Sequence, residues 1–214
     1  MANKKVITEI DIINLLRRGK YKFEISGNEI FTPAALDKIK ENSVELVKID
    51  GKKSILELSE KNLAKRKLVI GSDHTGYKIK QILIQLLKSQ GFEILDVGTD
   101  NENSCDYPDF AIKVAEEIKN GNADFGILID ATGIPSAITA NKIPGIRAAT
   151  CYNEFSAQSS REHNNSNILV IGAKTLGEES IKSILSVWLN SVFLGERHQK
   201  RLDKISDVEK KYSK

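Results

Sequence analysis

The chain has 214 residues, 40% hydrophobic and 29% charged, with a formal net charge of +3. That length suits one full domain plus a small one. No apolar run approaches the roughly 20 residues that span a bilayer, and the start, Met-Ala-Asn-Lys-Lys-Val-Ile, lacks a signal-peptide core. Residues 1 to 66 carry 14 Lys and Arg against 10 Asp and Glu, a surplus too mild and too interspersed with acids for a nucleic-acid face. Two cysteines, Cys105 and Cys151, lack metal-type spacing and read as inert thiols in a reducing compartment. The expectation is a cytoplasmic protein with neither a membrane nor a nucleic-acid partner.

The first 49 residues predict a small α+β module. Thr8 to Gly19 has a capping hydroxyl, acids in its first turn and basic residues before a terminating glycine, which is the pattern of a short helix. Tyr21 to Ile25 alternates as a strand, Thr32-Pro33 opens a second helix with proline at its first position, and Val44 to Ile49 alternates again. A unit this small is marginal alone and needs a surface to dock on or a copy of itself. Residues 50 to 66, with Gly51-Lys52-Lys53 and many charges, read as a linker to a domain over 67 to 214.

From Lys67 strands alternate with helices. Leu68 to Gly71 is a buried strand, and Ile79, Ile82, Leu83, Leu86 and Leu87 give one apolar helical face closed by Gly91. Strands follow at Phe92 to Val97, Phe125 to Ile129, Ile146 to Cys151 and Asn167 to Ile171. A last apolar helix carries Ile181, Ile184, Leu185, Trp188, Leu189 and Val192, and its spacing is that of core. Five strands with crossover helices predict an α/β fold with a doubly wound, Rossmann-like parallel sheet.

Ligands of open α/β sheets sit at the carboxyl edge of the strands, where a helix start also offers free amides to an anion. Asp73-His74-Thr75-Gly76 follows the first strand of this sheet, Asp106-Tyr107-Pro108-Asp109 the second and Asp130 to Ser136 the third, while Arg161-Glu162-His163-Asn164-Asn165 lies before the fifth. All four are expected at one edge. Asp130 is either a reactive carboxylate there or a plain helix N-cap. His74, His163 and His198 are the only histidines, and none lies in the N-terminal module. Histidine titrates near neutrality and is the usual proton carrier. Arg197 and Arg201, four apart, can address one phosphate. The set reads as a binder of a small phosphorylated, polyhydroxylated compound with proton-transfer groups at its other end.

Gly71 to Gly76, the Asp106-Tyr107-Pro108-Asp109 turn, Thr132-Gly133, Ala140-Asn141-Lys142-Ile143-Pro144-Gly145-Ile146-Arg147-Ala148, Ser160 to Asn164 and Gly195 to Arg201 together resemble the type B ribose-5-phosphate isomerases and their galactose-6-phosphate isomerase relatives over residues 67 to 211. The resemblance implies an aldose-ketose isomerase, ribose 5-phosphate to ribulose 5-phosphate, working through an enediolate without metal or cofactor. It implies that His163 assists ring opening, that Asp73 and Tyr107 contact the sugar, and that Asn164 supports the site. It gives His74, Arg197 and Arg201 phosphate-side roles with His198 beside them, and puts Thr132 and Gly133 in the reactive loop. It also implies a homodimer or tetramer with a site shared between subunits.

The departures from that family gather at the reactive centre. Asp130 stands where most relatives carry the Cys that acts as carbon base, Ala131 and Pro135 replace glycines, and Lys174 stands where relatives often carry a phosphate-binding arginine. Asp130-Ala131 is similar to one subunit of galactose-6-phosphate isomerase. The alternatives left open are therefore a sugar-phosphate binding protein, a noncatalytic subunit, or an isomerase of a six-carbon or deoxy sugar phosphate. Residues 1 to 49 resemble short extensions on enzymes packaged in bacterial microcompartments, which implies docking to a shell or cargo partner there; a plain oligomerisation module is the alternative.

Overall fold

The computed structural model describes residues 5–25, 29–48, 66–195 and 197–212, and the chain divides into two compact units, Met1–Leu58 and Ser59–Lys214. The linker expected at 50 to 66 lies outside the described residues apart from Arg66, as does Ile49.

The first unit is two β-α-β halves interleaved. Strands β1 (Lys5–Ile7), β2 (Lys22–Ile25), β3 (Glu29–Phe31) and β4 (Glu45–Lys48) alternate with helices α1 (Glu9–Arg17) and α2 (Pro33–Glu41). The halves pair across, β1 with β3 and β2 with β4, each as a parallel two-stranded sheet. Helix α1 starts where expected because the Asp11 carboxylate accepts hydrogen bonds from both the amide and the hydroxyl of Thr8. Thr32 Oγ1 accepts from the Ala35 amide at the start of α2. Ile7, Ile12, Ala35, Ile39 and Val44 form its core. Strands β1 and β3 went unread in the sequence because three residues are too few to show an alternation.

The second unit holds β5 (Lys67–Ser72), β6 (Glu93–Asp96), β7 (Phe125–Asp130), β8 (Ala148–Thr150) and β9 (Ile168–Gly172) in the spatial order β6-β5-β7-β9-β8, every pair parallel. Its helices are α3 (Tyr77–Ser89), α4 (Tyr107–Lys119), α5 (Ile134–Ala140), α6 (Glu154–Glu162), α7 (Glu178–Asn190) and α8 (Gln199–Tyr212). Alternate strand residues feed two cores. Leu68, Ile70, Ile127, Ile129, Leu169 and Ile171 meet Leu83 and Leu87 of α3 and Ile181, Ile184 and Trp188 of α7. Val69, Leu128, Ile168 and Val170 meet Ala111, Val114 and Ala115 of α4 and Ala137 and Ala140 of α5. Burial on both faces explains why these strands read as continuous apolar runs. This is the doubly wound architecture that the strand-helix alternation predicted.

One buried cation also shapes the unit. Lys80 of α3 is almost wholly buried and donates to both Asp96 oxygens, at 2.7 and 2.6 Å, and to the Thr99 carbonyl at 2.7 Å. The ion pair ties α3 to the end of β6 and to the loop that leads into α4. Among the described residues no helix is long and apolar enough to cross a membrane.

Candidate active site

The carboxyl edge of the sheet is built from the ends of β5, β7, β8 and β9. After β5, Asp73 Oδ1 accepts from the Thr75 amide and hydroxyl and from the Gly76 amide, at 2.8, 2.6 and 3.1 Å, which folds residues 73–76 into a tight turn. Gly76 is required there, since a Cβ would lie 2.6 Å from the Ile129 carbonyl oxygen of β7. His74 is held through Nδ1, which accepts from the Cys105 amide at 3.2 Å, with the Cys105 sulfur 3.8 Å away. The neutral ring therefore carries its hydrogen on Nε2. Tyr107, the first residue of α4, is more than a third exposed at the same edge.

Asp130 ends β7 with only 1% of its surface exposed. Its Oδ1 accepts from the amides of Thr132 and Gly133, and Oδ2 accepts from the Ser136 amide at 3.0 Å. These amides are the donors that a free helix start would offer an anion, and here the chain's own carboxylate fills them. The capping expected of such an aspartate is thus present. A carboxylate has roughly four acceptor positions; Oδ1 has both of its own engaged and Oδ2 keeps one. The next amide, of Ile134, points to Thr132 Oγ1 at 3.3 Å, and Pro135 has none.

The other side of this loop is held by β8. Thr150 Oγ1 donates to the Gly133 carbonyl at 2.8 Å, and the Tyr152 hydroxyl donates to the Thr132 carbonyl at 3.1 Å. Gly133 has a φ of +80° and a Cβ there would sit 2.8 Å from Thr150 Cγ2, so both its conformation and its space demand glycine. Lys174 stands exposed just past β9, its amide bonded to the Ala131 carbonyl. Thr150 and Tyr152 were not singled out in the sequence, Cys105 was read only as an inert thiol and Ser136 only as the end of the segment after β7; the signal they offered was their place at a strand end or in a loop of this edge.

The remaining candidates gather elsewhere. His163 caps the C-terminal end of α6, and its ring stacks on that of His198 with centroids 4.3 Å apart and planes 3° from parallel. Ser159 Oγ lies 3.1 Å from His163 Nδ1, and Arg197 Nε donates to His198 Nε2 at 3.4 Å. The neutral His198 ring then carries its hydrogen on Nδ1, which is buried without a partner. Burial first, then the charges of His163, Arg197 and Arg201, push His198 below its ordinary value, with Glu162 opposing them. Asn164, Arg197 and Arg201 are exposed around the pair.

This second group does not lie at the carboxyl edge, which corrects the expectation of a single polar edge. Helix α6 leaves β8 at that edge and runs back, so residues 161–165 precede β9 at its amino end. Arg161 lies 4.3 Å over the Phe125 ring at the first residue of β7, while Asp130 is the last residue of that strand. Six strand residues put roughly 16 Å between them at about 3.3 Å per step. Asp73, His74, Tyr107, Asp130, Thr132, Gly133 and Lys174 thus form one group, and His163, Asn164, Arg197, His198 and Arg201 another at the far edge. A segment that precedes a parallel strand belongs to its amino end, and that rule was available in the sequence.

Comparison with known proteins agrees with this architecture. Residues 68–205 match the family described as Ribose/Galactose Isomerase. The chain is 40% identical over 146 residues to the Escherichia coli protein named ribose-5-phosphate isomerase B, covering 68% of this chain and 98% of that one. It is 44% identical over 146 residues, with the same coverage, to a putative sugar phosphate isomerase of Bacillus subtilis. Among solved structures, the ribose-5-phosphate isomerase B of Clostridium thermocellum superposes with a TM-score of 0.68 at 49% identity over 69% of this chain and 99% of its own. The Mycoplasma genitalium enzyme, solved with bound ribulose-5-phosphate, gives 0.65 at 38% identity over 67% and 96%.

Proposed function

Because the chain belongs to the ribose/galactose isomerase family, we propose that it interconverts an aldose and a ketose phosphate, ribose 5-phosphate and ribulose 5-phosphate, through an enediolate. The observation that carries this reading is the last free position on Asp130 Oδ2. A buried carboxylate fixed by three amides holds that lone pair in one direction and can take a proton from the carbon next to a carbonyl. The Thr132 hydroxyl, which accepts from Ile134, keeps its hydrogen for a substrate oxygen. His74, Asp73, Tyr107 and Lys174 line the same edge and suit the hydroxyls of an open-chain sugar. His163, in its stack, is the proton carrier for ring opening, and Arg197, His198 and Arg201 receive the phosphate with Asn164 beside them. Neither metal nor cofactor is part of this scheme.

The roughly 16 Å between the two groups has a consequence for assembly. One chain cannot bring His163 to Asp130, so the working site joins the carboxyl edge of one copy to the His163 group of another, in a homodimer or a tetramer. Complementation tests the whole scheme. Asp130→Asn and His163→Asn homo-oligomers are each inactive on ribose 5-phosphate. Mixed and reassociated, they regain about a quarter of wild-type turnover, since half of the dimers are mixed and each of these holds one intact site. Failure to recover turnover, with mixed dimers shown by mass spectrometry, refutes the shared site.

One observation favours a second reading. The loop amides that would stabilise an enediolate oxyanion are already bonded to Asp130 and Thr132, and Pro135 offers none. A binding protein or noncatalytic subunit follows if no proton exchange occurs at the sugar carbons in heavy water while calorimetry still shows sugar-phosphate binding. Exchange with a six-carbon or deoxy sugar phosphate, and none with ribose 5-phosphate, would reassign the substrate.

A further inference from the structure

Three guanidinium groups meet at the amino edge of the sheet, outside both groups described above. Arg66 enters β5, Arg147 enters β8, and Arg161 lies in the last turn of α6. Arg66 and Arg161 share the ring of Phe125, at 5.2 and 4.3 Å from its centroid. Arg147 and Arg161 share Asn165: Arg147 Nε donates to its carbonyl at 2.8 Å and an Arg161 terminal nitrogen to its Oδ1 at 3.2 Å. Arg161 also donates to the Ser166 carbonyl and stacks 5.2 Å from Trp188. It is only 6% exposed, and its Nε is buried without a partner.

No described carboxylate pairs directly with this set, and Glu209 offsets Arg147 only at longer range. Among the described residues none of the three arginines has a carboxylate within ion-pair distance, and the described ion pairs all use lysine. The nearby acids are occupied. Asp124 accepts from the Lys67 amide, Glu93 pairs with Lys67, and Glu209 accepts from the Gly145 amide while drawing on Arg147 only at longer range. Burial, then the charges of Arg66 and Arg147, lower the Arg161 guanidinium to about 10. Among the described residues Arg66 has no hydrogen-bond partner, and Arg147 and Arg161 each leave one terminal nitrogen unbonded. Three partly desolvated like charges held together by ring stacking and carbonyls oppose one another unless an anion joins them.

We infer that Arg66, Arg147 and Arg161 form a second anion site, one that takes a phosphate group, either inorganic phosphate or a phosphomonoester. Guanidinium forks match the oxygens of such a group in pairs, and the Phe125 and Trp188 rings give the site a dry wall. The site also touches function. Two of its arginines hold Asn165, a left-handed residue with φ +46° that directly follows His163 and Asn164, so an anion there braces the turn that presents those side chains.

Thermal unfolding of the full chain tests the inference. The Arg197→Gln/Arg201→Gln double variant removes the two arginines expected to bind substrate phosphate, and inorganic phosphate and methyl phosphate are titrated separately against sodium chloride of equal ionic strength. The transition should rise by about 2–4 °C once phosphate exceeds its dissociation constant about five-fold. Adding Arg66→Gln should abolish the rise, and Arg147→Gln should do the same should Arg66→Gln fold poorly. A response to both ligands identifies a phosphomonoester site, and a response to inorganic phosphate alone a site for the free ion. A rise that survives both substitutions, or no rise up to tens of millimolar phosphate, overturns the proposal.

Discussion

Replacing Asp130 by asparagine tests the loop physics and the chemistry together. The isosteric change puts an NH2 where Oδ2 now accepts from the Ser136 amide, so two donors face each other at 3.0 Å, while Oδ1 keeps the Thr132 and Gly133 amides as neutral bonds. A buried unpaired donor costs about 1–3 kcal/mol, and weakening two charge-assisted bonds to neutral ones costs about 1 kcal/mol each. The sum is about 3–5 kcal/mol, or a fall of roughly 6–20 °C for a unit of this size. The protein's single tryptophan, Trp188, is fully buried in this unit, and its fluorescence follows the unfolding of the unit directly. On the same preparation, well below its transition, deuterium uptake at the sugar carbons of ribose 5-phosphate should drop by 100-fold or more, the usual contribution of a general base. A fall of less than about 2 °C would refute the three-amide account of the loop. Undiminished uptake would refute Asp130 as the base whatever the stability.

Other substitutions and pH follow the same reasoning. Gly133→Ala, forced to keep a positive φ against Thr150 Cγ2, should lose about 2–4 kcal/mol of stability by denaturant titration and most of its turnover. Tyr152→Phe removes the hydroxyl bond to the Thr132 carbonyl; about 0.5–1.5 kcal/mol should disappear, and kcat should fall more than KM rises if that bond places the loop. Lys80→Ala strands the Asp96 carboxylate. Because Asp96 keeps some solvent, the cost should be about 2–4 kcal/mol, read as a lower transition temperature. His198 is held below its ordinary value near 6.5, so the unfolded chain takes up a proton more readily than the folded one. Its contribution to stability is complete above about pH 6.5 and declines as pH falls below that, and His198→Gln should flatten this part of a stability-pH profile.

Much of the isomerase unit was legible in the chain. Apolar runs at β5, β7 and β9, separated by helical faces, specify a parallel sheet because a strand covered on both sides has no polar position to alternate. The polar residues after β5, β6 and β7 fall at the carboxyl edge by connectivity alone. The N-terminal unit was read less completely, since β1 and β3 exist through pairing with each other rather than through any pattern of their own.

The tertiary structure decided two matters that residue identity left open. Asp130 has the same composition as cap or as base, and only the positions of three amides around it show that it fills both acceptor positions of one oxygen and leaves one on the other. His163 looked like a neighbour of Asp130 because both flank strands of one sheet. The direction of α6 sends it to the opposite edge, where it stacks on His198. Local sequence sets which residues can form strands, helices and turns, because those preferences are short-range. Which polar groups meet depends on how far and in which direction each element carries the chain, and a list of residues does not contain that.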